Sequence, residues 1–319
     1  MTTAFLTHTD CLQHINPAGH PEQVARLEYI LDRMSASEFD GLMRLDAPLG
    51  TDEHILTTHP AAHLNAMKAA VPAQGWTQID GDTSVSPGSL QAAYRGVGAN
   101  VKAVDLVMSG EATNAFCATR PPGHHAETQT AMGFCYFGNV VIGARHALDH
   151  HGLDRVAIVD FDVHHGNGTQ DLVWNDERIL FVSSHQMPLY PGTGAANETG
   201  GHGNVLNVPL NPNANGIDLR NAFEREILPA LEAHKPQMIF ISAGFDAHQA
   251  DPLANLNFTE ADFAWATKTL CDFADKHCEG RVVSTLEGGY DLQALAASVA
   301  ADVGVLMEQT LWPMHPFPK

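Results

Sequence analysis

Arg155-Val156-Ala157-Ile158-Val159-Asp160-Phe161-Asp162-Val163-His164-His165-Gly166-Asn167-Gly168 is the stretch on which the reading of the whole chain turns. Its first half is an apolar, β-branched run without alternation, as a strand buried on both faces requires. The run then breaks into a polar loop. Asp162 and His164 stand two apart, so in extended chain both point to the same side.

Working outward, the same pattern recurs. Thr113–Thr119 leads into Arg120-Pro121-Pro122-Gly123-His124-His125, and Ile179–Ser183 toward Tyr190-Pro191-Gly192-Thr193-Gly194. Met238–Ser242 leads into Ala243-Gly244-Phe245-Asp246, and Arg281–Leu286 into Glu287-Gly288-Gly289-Tyr290. Helical patterns intervene at about Pro21–Met34, Pro87–Ser109, Asn139–Asp149, Asp218–Ala233, Glu260–His277 and Leu292–Gln309, with Thr259 as an N-cap. Apolar strands alternating with helices predict a parallel sheet covered on both faces. Ligands of such sheets gather at the carboxyl ends of the strands, so five loops spanning positions 120 to 290 converge on one crevice.

Composition narrows the function. The 319 residues suit one large α/β domain or two small ones, and 44% hydrophobic residues provide for a deep core. Seventeen Lys and Arg against 37 Asp and Glu give a formal charge of −20, which argues against nucleic acid as a partner. The N-terminus lacks the pattern of a signal peptide, and the longest apolar stretch, Ala294–Met307, is broken by Ser298 and Asp302; no membrane association is expected. Five cysteines without a CxxC pair fit a reducing, cytoplasmic compartment, with Cys271 and Cys278 read as buried small hydrophobes.

Asp162 and His164 make up two-thirds of a catalytic zinc site, which uses three protein ligands. A lone Asp-x-His is more often a helix cap beside a loop histidine; Asp246 at a second strand end supplies the missing ligand and reverses that preference. An isolated His pair is more often surface or core decoration; the rigid Arg120–Gly123 turn, with Asp160 and Asn167 available to set tautomers, weakens that preference for His124 and His125 in favour of a proton-moving pair. Two glycines let the backbone bring Tyr290 close to the site, where its phenol fits equally an oxyanion stabiliser or a core tyrosine after a turn. Phe134 and Tyr190 are loop aromatics that fit either ordinary packing or the walls of an apolar channel. These residues describe a metal-assisted hydrolase with one divalent cation, and leave the bond it breaks open.

The set Arg120–Ala126, Gly133-Phe134-Cys135-Tyr136, Asp160–Gly168, Ser242–His248 with Asp251-Pro252, and Leu286–Tyr290 resembles class II histone deacetylases and their bacterial amidohydrolase relatives. The resemblance begins at His14, His20-Pro21-Glu22 and Arg26-Leu27 and runs to about Met307, nearly the whole chain. It implies one arginase–deacetylase domain over residues 1–319, with a central eight-stranded parallel sheet and a Pro-rich tail at 310–319. It implies zinc, or ferrous iron, on Asp162, His164 and Asp246, with His125 as general base and acid. His124, paired to Asp160, would tune the electrostatics, and Tyr290 would polarise the substrate carbonyl. Phe134, Tyr190, Gly133 and Leu253 would line an acyl-lysine channel. A structural potassium ion is implied on carbonyls of Asp160, Asp162 and His164 and the Ser183 hydroxyl, and an acetate cavity beside Arg26 and Cys135.

The chain departs from the family at Gly138, usually Asn, and at His63, usually aromatic. Leu253 stands where acetylpolyamine-selective relatives carry Glu, which favours acyl-lysine over a cationic polyamine. A binuclear ureohydrolase on the same fold is rejected, because Gly166 and His248 replace the carboxylates of a second metal site. A catalytically dead acyl-lysine binder would lack Tyr290 or a ligand, and none is lost. The expected partner is an acyl-lysine peptide or protein, or else an acetylated small amine, and a homo-oligomer is left open.

Overall fold

The computed structural model describes residues 2–307. The expectations for the end of the last helix and for the tail at 310–319 fall outside the described residues. In chain order the strands are β1 (Thr3–Thr7), β2 (Met43–Asp46), β3 (Thr77–Gln78), β4 (Ser84–Val85), β5 (Asn114–Cys117), β6 (Val156–Asp160), β7 (Ile179–Gln186), β8 (Val205–Leu210), β9 (Ile239–Ala243) and β10 (Val282–Leu286). The helices are α1 (Ala25–Met34), α2 (Asp52–Leu56), α3 (Ala61–Ala70), α4 (Ser89–Ser109), α5 (Asn139–Asp149), α6 (Asn167–Val173), α7 (Gly216–Ala222), α8 (Leu228–His234), α9 (Glu260–His277) and α10 (Leu292–Leu306). Eight strands form one all-parallel sheet in the order β2-β1-β5-β10-β9-β6-β7-β8, and β3 and β4 make a separate hairpin.

Strand β6 shows why the sequence takes this form. Ala157 and Val159 enter one apolar cluster and Val156 and Ile158 the other, the period-two alternation of a pleated strand. Helices cover both faces, so the strand reads as continuously apolar rather than alternating. Phe5, Phe116, Ile241 and Leu295 fill the first cluster; Leu6, Val104, Val141 and Phe181 fill the second. Each fully buried side chain of this size contributes about 1.5–3 kcal/mol relative to exposure.

Two local differences from the sequence reading have identifiable causes. The helix expected from Pro21 starts at Ala25, because Glu22 N donates to His20 Nδ1 and Gln23 N to Pro21 O in a tight turn. The helix expected at Asp218–Ala233 runs from Gly216 to His234 but widens to a π turn at Phe223–Ile227. Pro229 follows it, and a wider turn accommodates a residue that cannot donate to the preceding turn. Thr259 caps α9, where Asp262 Oδ2 accepts from both its N and its Oγ1. Among the described residues no helix is long and apolar enough to cross a membrane.

Candidate active site

Four adjoining strands (β5, β10, β9 and β6), with β7 beside them, deliver their carboxyl ends to one buried crevice. Asp160 ends β6, aligned with Ser183 on β7 and Ser242 on β9. Its Oδ1 accepts from Asp162 N at 3.0 Å and so bends the chain at the strand end. Asp162 Oδ1 then accepts from His164 N, while Asp246 Oδ1 accepts from Val163 N, both at 2.9 Å. The loop is thereby held by the same carboxylates, Asp162 and Asp246, that face the crevice.

On the inward side, His164 Nδ1 lies 3.1 Å from Asp162 Oδ1 and 3.1 Å from Asp246 Oδ2. Donor atoms of the three residues fall within 4.8 Å of one another, and all three residues are buried. Burial alone would lower the proton affinity of His164, but Asp246 and Asp162 outweigh it and raise the pKa to about 10. Two buried carboxylates facing one imidazole favour positive charge at this spot. Two oxygens and one nitrogen are a donor set suited to zinc, so the residues present fit a divalent metal. Gly288 closes the site: its N donates to Asp162 Oδ2 at 2.8 Å, and a Cβ there would collide with both Asp162 and Asp246.

His124 and His125 stand beside this set on the turn after β5. His124 Nδ1 is 3.0 Å from Asp160 Oδ2, and His125 Nδ1 is 2.7 Å from Asn167 Oδ1. For His124, burial opposes protonation, but Asp162 and Asp160 push its proton affinity well above the ordinary value. For His125, burial and the neighbouring His124 and His164 push it well below. Asn167, the first residue of α6, is fixed in turn by donating to Glu127 Oε1 at 2.8 Å.

Tyr290 follows Gly289, whose φ of +120° suits glycine. Burial, with Asp246 nearby, pushes its phenol well above the usual range, so it stays a hydrogen-bond donor. Phe134 presents its ring edge to Tyr290 at a centroid distance of 5.9 Å, and the Tyr190 ring lies 5.3 Å from His125. Phe134 has φ +68°, unusual for an aromatic, and follows Gly133, where a Cβ would run into the His125 ring. Tyr190 and Leu253 are 38% and 37% exposed, which puts them at the rim. Ser183 Oγ is 2.9 Å from His185 Nδ1. Cys135 is buried, with its thiol on Gly133 O.

Arg26 lies beneath Tyr290, its Cζ 5.0 Å from the ring centroid. Nε donates to Gly289 O and Nη2 to Glu287 O, both at 2.6 Å, while Nη1 pairs with Glu22 Oε1 at 2.9 Å. Glu22 also pairs with the buried Arg120, at 2.7 Å from Nη2.

The sequence reading gave no role to Glu22, Glu287, Asp251 or Glu127. Glu287 Oε2 accepts from Gly123 N and His124 N at 2.7 and 3.1 Å, fixing the histidine turn. Burial raises its pKa to about 7. Asp251 ties the rim to the tyrosine, accepting from Leu253 N at 3.0 Å and Tyr290 N at 2.7 Å. The signal for Glu22 was available, since two arginines destined for an apolar interior require a carboxylate. At the two atypical positions packing has adjusted: Gly138 N donates to His59 Nε2 at 2.9 Å, and a side chain there would strike Leu172. His63 stacks on His59 at 4.7 Å.

Residues 20–306 match the family model of the histone deacetylase domain. A histone deacetylase-like amidohydrolase of Pseudomonas aeruginosa is 40% identical over 281 residues, covering 86% of this chain and 73% of that protein. A probable deacetylase of Archaeoglobus fulgidus is 37% identical over 299 residues, covering 92% and 82%. Among solved structures, the HDA15 HD domain superposes with a TM-score of 0.91 at 33% identity, covering 97% of this chain and 90% of that one. Fold and relatives together define an α/β protein of the deacetylase and amidohydrolase class. Within that class, the chain belongs to the histone deacetylase family.

Proposed function

We propose that the protein is a zinc-dependent amidohydrolase that removes acetyl or other short acyl groups from the ε-amino group of lysine. The observation that carries this reading is the convergence of Asp162, His164 and Asp246 beside a histidine pair with opposed proton affinities. When bound there, zinc or ferrous iron supplies Lewis acidity and makes water a nucleophile near neutral pH.

The chain's own residues move the protons. His125 Nδ1 donates to Asn167 Oδ1, which leaves Nε2 with a lone pair to take a proton from the attacking water. The same proton then passes to the leaving lysine nitrogen, and the second proton of the water follows it, so one water and one amide give a carboxylate and an ammonium ion. His124, held cationic by Asp160 and Asp162, keeps His125 neutral between turnovers and stabilises developing negative charge. The Tyr290 phenol donates to the substrate carbonyl oxygen as it gains charge. Phe134, Tyr190 and Gly133 wall the path of the lysine stem, with Leu253 at its mouth.

Potassium is proposed on the carbonyls of Asp160, Asp162 and His164 with Ser183 Oγ. Arg26 and Cys135 border the proposed exit of acetate. One Glu22 for two guanidiniums leaves positive charge there for an anion. A cytoplasmic setting is supported by five unpaired cysteines, and no nucleic-acid partner is proposed for so acidic a chain. A second reading, deacylation of a small acetylated amine, uses the same residues. The apolar Leu253 at the rim favours acyl-lysine over a polycation.

The test is hydrolysis of an acetyl-lysine peptide by metal-depleted protein as zinc is returned. Activity that rises with occupancy of the Asp162 site supports the reading. Occupancy without turnover on peptide or on acetylated amines overturns it.

A further inference from the structure

A second convergence of metal-ligating side chains lies far from the crevice. Helix α5 carries His146 in its last turn, and His150 follows four residues later on the same face, the two rings stacked at 4.7 Å and 10°. His151 N folds back to His146 O, which brings a third imidazole alongside at a ring separation of 5.2 Å. Asp105, on the neighbouring helix α4, completes the group. Its Oδ1 lies 2.7 Å from His146 Nε2 and 2.8 Å from His151 Nε2.

We propose that Asp105, His146, His150 and His151 form a second site, for a divalent transition-metal ion that prefers imidazole, such as Zn2+, Ni2+ or Cu2+. One donor atom from each residue lies within 4.8 Å of the others. Ligands on zinc at bond lengths of ~2.0–2.1 Å sit ~3.4 Å apart in a tetrahedron, so a modest rotation of side chains closes the site. That rotation is available, because His150 is exposed and the other three are half-buried. Three imidazoles with one carboxylate select borderline ions over Mg2+ or Ca2+, which take oxygen ligands. The carbonyl end of α5 adds a favourable field for a cation.

The site is independent of the catalytic one by topology. Helix α5 leads away from the carboxyl edge of the sheet and back to the start of β6 at Val156, so its end sits at the amino edge. An ion there is therefore bound without touching substrate.

The test uses the untagged full-length chain, stripped of metal and titrated with Zn2+ by calorimetry, with bound zinc counted after dialysis. Two equivalents are expected in the wild type, and one in the His146→Gln/His151→Gln variant, which keeps its acetyl-lysine activity. Asp246→Ala retains the equivalent that the double variant lacks. A wild type that binds a single equivalent overturns the proposal, as does a second equivalent that persists in the double variant. Should that variant not fold, the exposed His150→Ala carries the test. It is expected to weaken the second equivalent at least tenfold, and unchanged affinity counts against the site. A wild type that binds both equivalents yet turns over neither peptide nor acetylated amine would sink the deacylase reading and leave this one standing.

Discussion

The rings of His124 and His125 lie 4.0 Å apart, yet their surroundings push their proton affinities in opposite directions. A carboxylate faces one and an amide the other. At His124 the carboxylates Asp162 and Asp160 outweigh burial, whereas at His125 burial and the two neighbouring imidazoles outweigh the Asn167 bond, which assigns two chemically identical side chains to two charge states.

Asn167→Asp tests that assignment. A carboxylate against His125 Nδ1 raises its proton affinity, by ~1–3 pH units for an ion pair at this range. A base works only above its pKa, so the acid limb of the kcat/KM profile moves to higher pH by a similar amount. An acid limb that stays in place would show that His125 is not the base.

Metal and proton functions separate in two further variants. Asp246→Ala removes a donor and is expected to lose the crevice metal together with activity. Tyr290→Phe keeps the metal and loses about 10²–10³-fold in kcat, the usual cost of one donor to a developing oxyanion. Metal content measured beside turnover checks both, and full activity in Tyr290→Phe removes that residue from the mechanism.

Leu253→Glu adds a negative charge at the mouth of the channel. Because the position is 37% exposed, solvent screens the charge and its interaction with a cationic amine is worth about 1 kcal/mol or less. The ratio of acetylpolyamine to acetyl-lysine turnover is then expected to rise about two- to fivefold. An unchanged ratio removes Leu253 from the account of specificity.

Glu22→Gln leaves Arg26 and Arg120 buried without a carboxylate and costs about 3–5 kcal/mol of stability. Burial alone would raise the Glu22 carboxyl, but Arg120, His14 and Arg26 hold it well below its ordinary value of 4.5. A depressed folded-state pKa contributes stability that is fully present above the unfolded value and drains away as pH falls. The gap between wild type and variant in urea unfolding is expected to be widest at pH 7 and to narrow below about pH 4.5. A gap independent of pH would contradict the ion-pair role.

Much of this architecture is visible in the sequence because its central strands are apolar on both faces. The five runs before the site loops are strands β5, β6, β7, β9 and β10. The other three lack that signature. β2 is an edge strand, Met43-Arg44-Leu45-Asp46, with alternate residues exposed, and β8 is the opposite edge and carries Pro209. β1 is buried, but no Gly-rich polar loop follows it to mark its end. At the site, residues that follow a strand end could be placed by that position alone. The need of two buried arginines for a carboxylate is readable, but not which carboxylate serves them, since the Glu22–Arg120 bond spans 98 positions and exists only once α1 packs beneath the Tyr290 turn.

The order of strands also says how the chain must come off the ribosome. β10, made last, is inserted between β5 and β9 in the middle of the sheet. Until it emerges, both of those strands present open hydrogen-bonding edges in the most apolar part of the molecule, the condition that invites association with other chains. A nascent or truncated protein ending before Val282 is thus an aggregation hazard rather than a smaller folded unit. Tyr290 arrives only with that closing strand, so the arrival of the proposed carbonyl polariser and the sealing of the sheet are one event.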